Sequence, residues 1–90
     1  MNTLAANLIE KENIPWMILQ PARNKKNDLI CKLKKAESLG NLMKTKVSIY
    51  FNTSEGINVV HTTIWFASQE YVCLKGGITI PTSCITDVVF

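Results

Sequence analysis

No apolar run in the chain approaches the ~20 residues that a membrane-spanning helix needs, which argues against a helical bilayer span. The first dozen residues also lack the marks of a secretory signal. No basic cluster opens them, and Asn7, Glu10 and Lys11 break any apolar stretch. These absences predict a cytoplasmic protein. Cysteine is sparse: Cys31, Cys73 and Cys84 are odd in number and form no C-x-x-C. That usage fits reduced, mostly buried thiols. Cys31 stands beside Lys32 and within a turn of Lys34 and Lys35, surroundings that favour a thiolate. A small, partly buried core residue is the simpler reading. His61 is the single histidine, and no Cys, Asp or Glu stands near it at ligand spacing. Without a nucleophile motif it is also a poor catalytic base. Gly76-Gly77 lacks the spacing of G-x-x-x-x-G-K-S/T and reads as a turn, not a phosphate loop. The sequence therefore predicts a protein that is not an enzyme and holds neither cofactor nor metal.

What remains is a composition suited to one globular domain over residues 1–90: 47% hydrophobic and 19% charged. The net charge of +3 is unevenly spread. Between Arg23 and Lys46 stand eight basic and two acidic residues, while the rest of the chain holds two basic and five acidic ones. Clustered basic residues neutralise phosphates and give salt-sensitive nucleic-acid binding. An ordinary solvated helix face has the same composition, and no aromatic residue interleaves with these charges to stack bases.

The apolar spacing sorts the chain into elements. Leu4, Leu8 and Ile9 suggest a short helix over residues 2–12, marginal on its own. Pro15 and Pro21 bracket an apolar run over residues 16–19 that reads as an extended segment or edge strand. Leu29, Leu33, Ala36, Leu39 and Met43 step along one face of a second helix, begun at Asn27 or Asp28. Gly40 interrupts this pattern; it either ends the helix early or admits another backbone. After Lys44 the period drops to two. Five strands are predicted, over residues 47–52, 57–67, 71–74, 78–80 and 85–89, joined by turns at residues 53–56, 68–70, 75–77 and 82–84. Their core is expected to hold Val47, Ile49, Phe51, Ile64, Phe66, Val72, Leu74, Ile78, Ile80, Ile85 and Val88, sealed by Leu29, Leu33, Ala36 and Leu39.

The segment Gly77-Ile78-Thr79-Ile80-Pro81-Thr82-Ser83-Cys84-Ile85-Thr86-Asp87-Val88 resembles the close of SH3-like barrels: a short strand, a proline, a 3-10 turn and a last strand. A helix before five strands also resembles Sm-like barrels. The resemblance covers residues 46–90. It implies an α+β fold, with N-terminal helices over residues 1–45 followed by a five-stranded antiparallel SH3-like small barrel. The Asp and Met-Asn signature of Sm proteins and the acidic and aromatic groove of peptide-binding SH3 domains do not occur, so neither ligand is carried over. The string Val60-His61-Thr62-Thr63-Ile64-Trp65, with Leu74-Lys75-Gly76-Gly77 and Ile80-Pro81, resembles a group of short bacterial proteins of unknown function.

Two sets of binding residues follow. Arg23, Lys25, Lys26, Lys32, Lys34, Lys35, Lys44 and Lys46 are the candidate nucleic-acid contacts. Tyr50, Trp65 and Trp16 are the candidate partner-binding residues. Tyr50 and Trp65 oppose the core residues of their strands and so either form one exposed aromatic patch or pack beneath the first helix, burial being favoured. The surplus of apolar residues at residues 4–19 points to an oligomer interface. The expectation is a non-enzymatic binding or assembly module with a protein partner or a second copy of itself, the alternative being a nucleic-acid-binding small barrel.

Overall fold

A computed structural model describes residues 6–22 and 28–90 of the protein. Among them, seven strands form: β1 (Asn7–Ile9), β2 (Val47–Thr53), β3 (Gly56–Thr62), β4 (Ile64–Ala67), β5 (Tyr71–Leu74), β6 (Thr79–Pro81) and β7 (Ile85–Val89). One α-helix, α1 (Leu29–Met43), precedes β2. The alternation that starts at Val47 makes β2 the centre of the first sheet: Val47, Ile49, Phe51 and Thr53 are buried, and Ser48, Tyr50 and Asn52 face outward. β3 returns beside it through a turn at Gly56, whose φ of +113° suits only glycine. β7 pairs antiparallel with the other edge of β2, and β1 lies parallel to β3, giving the order β1-β3-β2-β7. β4, β5 and β6 form a second, antiparallel sheet.

The single strand expected over residues 57–67 is thus shared between two sheets. It changes sheet at Thr63, which is buried. The Thr63 carbonyl accepts the Lys75 N–H at 2.9 Å, and its hydroxyl donates to the Lys44 carbonyl at 3.5 Å. α1 lies against both β4 and β7 and buries Leu29, Leu33, Ala36 and Gly40 at helical spacing. It ends at Lys44, whose left-handed φ of +54° turns its N–H onto the carbonyls of Gly40 and Leu39. Gly40 does admit another backbone: a Cβ there would lie 2.5 Å from the Ile64 carbonyl oxygen and 2.9 Å from Thr63 Cγ2. The core gathers Phe51, Ile49, Ile64, Leu74, Ile80 and Ile85 from both sheets, Leu33 and Ala36 from α1, and Ile14.

Several expectations are corrected. The fold is not N-terminal helices followed by a five-stranded SH3-like barrel. The one α-helix sits mid-chain, six of the strands follow it, and they lie in two sheets with no closed barrel among the described residues. Closure fails because β6 pairs only with β5 and β7 only with β2, a 3-10 turn (Thr82–Cys84) separating them. The helix expected over residues 2–12 begins outside the described residues, and its later part is β1. A short helix with little to bury loses to pairing along β3, where Leu8 points out and Ile9 packs on the core. Of the segment expected to be extended over residues 16–19, only Trp16 departs, as the last residue of a 3-10 helix (Lys11–Trp16). Burial of Ile14 in the core overrides the usual extended preference of a residue before proline. The chain extends only from Met17, and Leu19 bridges Thr53.

Among the expected core residues, Phe66 is exposed, and Ile78 and Leu39 are only half-buried. Cys31 is exposed on α1, Cys73 is half-buried and Cys84 buried, all three free. No helix among the described residues is long and apolar enough to cross a membrane.

Phe51→Ala removes the largest fully buried side chain and is expected to cost about 3–5 kcal/mol, read as a lower midpoint in a thermal melt. Gly40→Ala is the sharper test. Helix propensity alone favours Ala by up to about 1 kcal/mol, whereas overpacking against the Ile64 carbonyl costs about 1–3 kcal/mol. A net loss of stability is expected, and a gain would show that α1 does not sit this close to β4.

Candidate partner-binding surface

Strict alternation along β4 would place Ile64 and Phe66 inside and Trp65 outside. The register contradicts this. Ile64 pairs with Leu74 and Phe66 with Cys73, so Trp65 is an extra residue in the ladder. A bulge of this kind lets two consecutive side chains face one side. Trp65 and Phe66 are accordingly 47% and 43% exposed, while Ile64 and Ala67 on either side are buried.

Two side chains of α1 hold the bulge. Glu37 Oε2 accepts the Ala67 N–H at 2.9 Å, and Asn41 Nδ2 donates to the Trp65 carbonyl at 3.4 Å. Residues four apart share a helix face, and this face satisfies backbone groups on the edge of β4 that a neighbouring strand would otherwise seek. The close seat at Gly40 brings both within reach.

The turn after β4 completes the surface. The Ser68 hydroxyl lies within hydrogen-bonding distance of the N–H groups of Glu70 and Tyr71, and the Ser68 N–H donates to the Tyr71 carbonyl at 2.9 Å. This tight reversal sets the Tyr71 ring 5.5 Å from that of Phe66, tilted by 45°. Lys34 Nζ lies 5.5 Å from the centre of the Phe66 ring. The outer face of the three-stranded sheet therefore presents Trp65, Phe66 and Tyr71, with half-buried Cys73 and exposed Pro81 in the same rows.

The candidate residues distribute as follows. Tyr50 and Trp65 are not neighbours: the change of sheet at Thr63 puts Tyr50 on the outer face of the four-stranded sheet, half-buried in a row with Val59 and Asp87. Trp16, at the end of the 3-10 helix, is 85% exposed and belongs to neither sheet. Arg23, Lys25 and Lys26 lie outside the described residues. Three lysines of α1 engage groups of their own fold. Lys32 donates to Asp87 at 2.8 Å, and this hydrogen bond raises the lysine above its ordinary pKa. Lys34 pairs with Glu37 at 3.3 Å, and Lys35 stands over the Phe90 ring at 5.4 Å. Lys44 and Lys46 make no ion pair among the described residues.

Phe66 and Tyr71 escape the sequence reading. The usable signal is small: two adjacent aromatic residues in one strand cannot share a face unless a bulge intervenes. No cluster of three or more His, Cys, Asp or Glu side chains that could hold a metal ion exists among the described residues. Compared with known protein families, curated proteins and solved structures, the chain matches none.

Glu37→Ala leaves the Ala67 N–H without its acceptor. It is expected to cost about 1–3 kcal/mol and to speed hydrogen exchange at the Ala67 amide. Glu37→Gln keeps an acceptor oxygen and is expected to retain most of that protection. Equal exchange in all three proteins would refute the role given to Glu37.

Proposed function

We propose that the protein is a non-enzymatic assembly module whose docking face is the outer side of the β4–β5–β6 sheet, and that its partner is another protein or a second copy of the chain. The observation that carries this reading is the bulge at Trp65, which leaves Trp65 and Phe66 both exposed, with the Phe66 ring against that of Tyr71. Aromatic side chains held by backbone and helix are the usual anchors of protein interfaces, because they bury much area at little cost in side-chain entropy. Exposed aromatic side chains, on a strand whose edge is held by α1, are what such an anchor requires.

Sedimentation velocity over a wide concentration range tests this. The native chain is expected to associate, and Phe66→Ala to weaken association by about 2 kcal/mol or more, roughly thirtyfold in Kd. Both Phe66 and Tyr71 are substantially exposed, so the variants should remain folded. A monomer at every concentration, or association untouched by Phe66→Ala and Tyr71→Ala, refutes self-assembly through this face.

A further inference from the structure

A cleft of about 220 Å³ opens at the other sheet, where β1 ends, β2 begins and β3 ends. Lys11, Lys46, His61 and Lys75 line it, with Glu10 the one carboxylate in its wall. These basic residues are far apart in sequence, and the ladders bring them together. Val47 pairs with Thr62, so Lys46 arrives beside the end of β3. Ile9 pairs with Val60, so Lys11 follows β1 to the same end. The Lys75 N–H binds the Thr63 carbonyl at 2.9 Å. Lys11 also runs along the β5–β6 turn, its Cε 3.5 Å from where a Cβ on Gly76 would stand.

The pairing of these charges differs from that on α1. Lys46 and Lys75 make no ion pair among the described residues. Lys11 meets Glu12 at 2.9 Å, in a pair whose carboxylate side chain is 63% exposed. Exposed pairs of this kind are weak and readily exchanged for a stronger anion. His61 Nδ1 lies 3.2 Å from the Ser48 hydroxyl. When that hydroxyl donates, the ring proton sits on Nε2, which becomes a donor toward a ligand. The turn beyond Lys75 holds Gly76 and Gly77 at φ of +92° and +88°. The volume is below the 300–1,000 Å³ of pockets for larger organic ligands, and it suits a compact, multiply charged oxyanion.

We propose that this cleft binds a small phosphorylated molecule, with Lys11, Lys46 and Lys75 meeting its phosphate oxygens and His61 donating a further hydrogen bond. Lysines brought to one cleft from three segments match a di- or trivalent phosphate better than a single carboxylate, because each phosphate offers several oxygens to charge-assisted bonds.

The experiment is a titration of the full chain with inorganic pyrophosphate at constant ionic strength, followed by amide chemical shifts. Saturable shifts at His61, Thr62 and Lys75–Gly77 are expected. Lys46→Gln with Lys75→Gln should weaken binding about tenfold or more, as loss of hydrogen bonds to charged groups does. Both lysines are exposed, and an unchanged melting midpoint confirms the fold. Lys34→Gln with Lys35→Gln removes an equal charge on α1 and should leave binding unchanged. No saturable shift, or an equal loss in this α1 double variant, overturns the site, the second result marking diffuse charge alone. A single-stranded oligonucleotide provides the second arm. Displacement of any bound oligonucleotide by pyrophosphate supports the small ligand. An oligonucleotide that pyrophosphate fails to displace from these amides overturns it in favour of nucleic acid.

Discussion

The arrangement depends on how closely α1 meets the chain at Thr63 and Ile64. With no Cβ at Gly40, the helix backbone reaches the Ile64 carbonyl directly. That approach sets the two sheets at one junction, since Thr63 binds Lys44 at the end of α1 and Lys75 in the turn between β5 and β6. It also brings Glu37 and Asn41 onto the exposed edge of β4. A helix standing farther off would leave those backbone groups to water or to another strand. The close seat of α1 on β4, and with it the reach of Glu37 and Asn41 to the bulge, depends on one missing methyl group.

Much of this was legible in the residues, and the failures are physical. β2 and α1 were readable because each carries a long, regular apolar period. β1 was not, because Leu8 and Ile9 are too few to fix a period, and the strand exists only because β3 offers an edge some fifty residues away. Helix and strand cannot be told apart in so short a run. The barrel inference failed at a different level. Nearly all the strands were in place, but closure requires a ladder between distant segments, and no local pattern records whether it forms. A bulge is equally silent: one extra residue turns Phe66 from the core to the surface without changing the composition.

The lysines carry the same lesson for the surface. Among the described residues, the lysines of α1 are engaged within the fold, and basic side chains gather elsewhere. Lys32, Lys34 and Lys35 are occupied by Asp87, Glu37 and two aromatic rings, whereas Lys11 and Lys75, far apart in the sequence, line one cleft with Lys46 at one end of the first sheet. Charge counted along a sequence reports composition; only the ladders report which charges share a field.

The parallel pairing of β1 with β3 has a kinetic consequence. The β2–β3 hairpin closes over a turn of a few residues, while Asn7 must find Asn58 across most of the chain. Long loops close at greater entropic cost and contribute late to folding. A three-residue strand also holds few hydrogen bonds with which to repay that cost. We expect β1 to be the last element to join the sheet and the first to leave it, so that solvent reaches the β3 amides beside it while the β2–β3 hairpin is still intact.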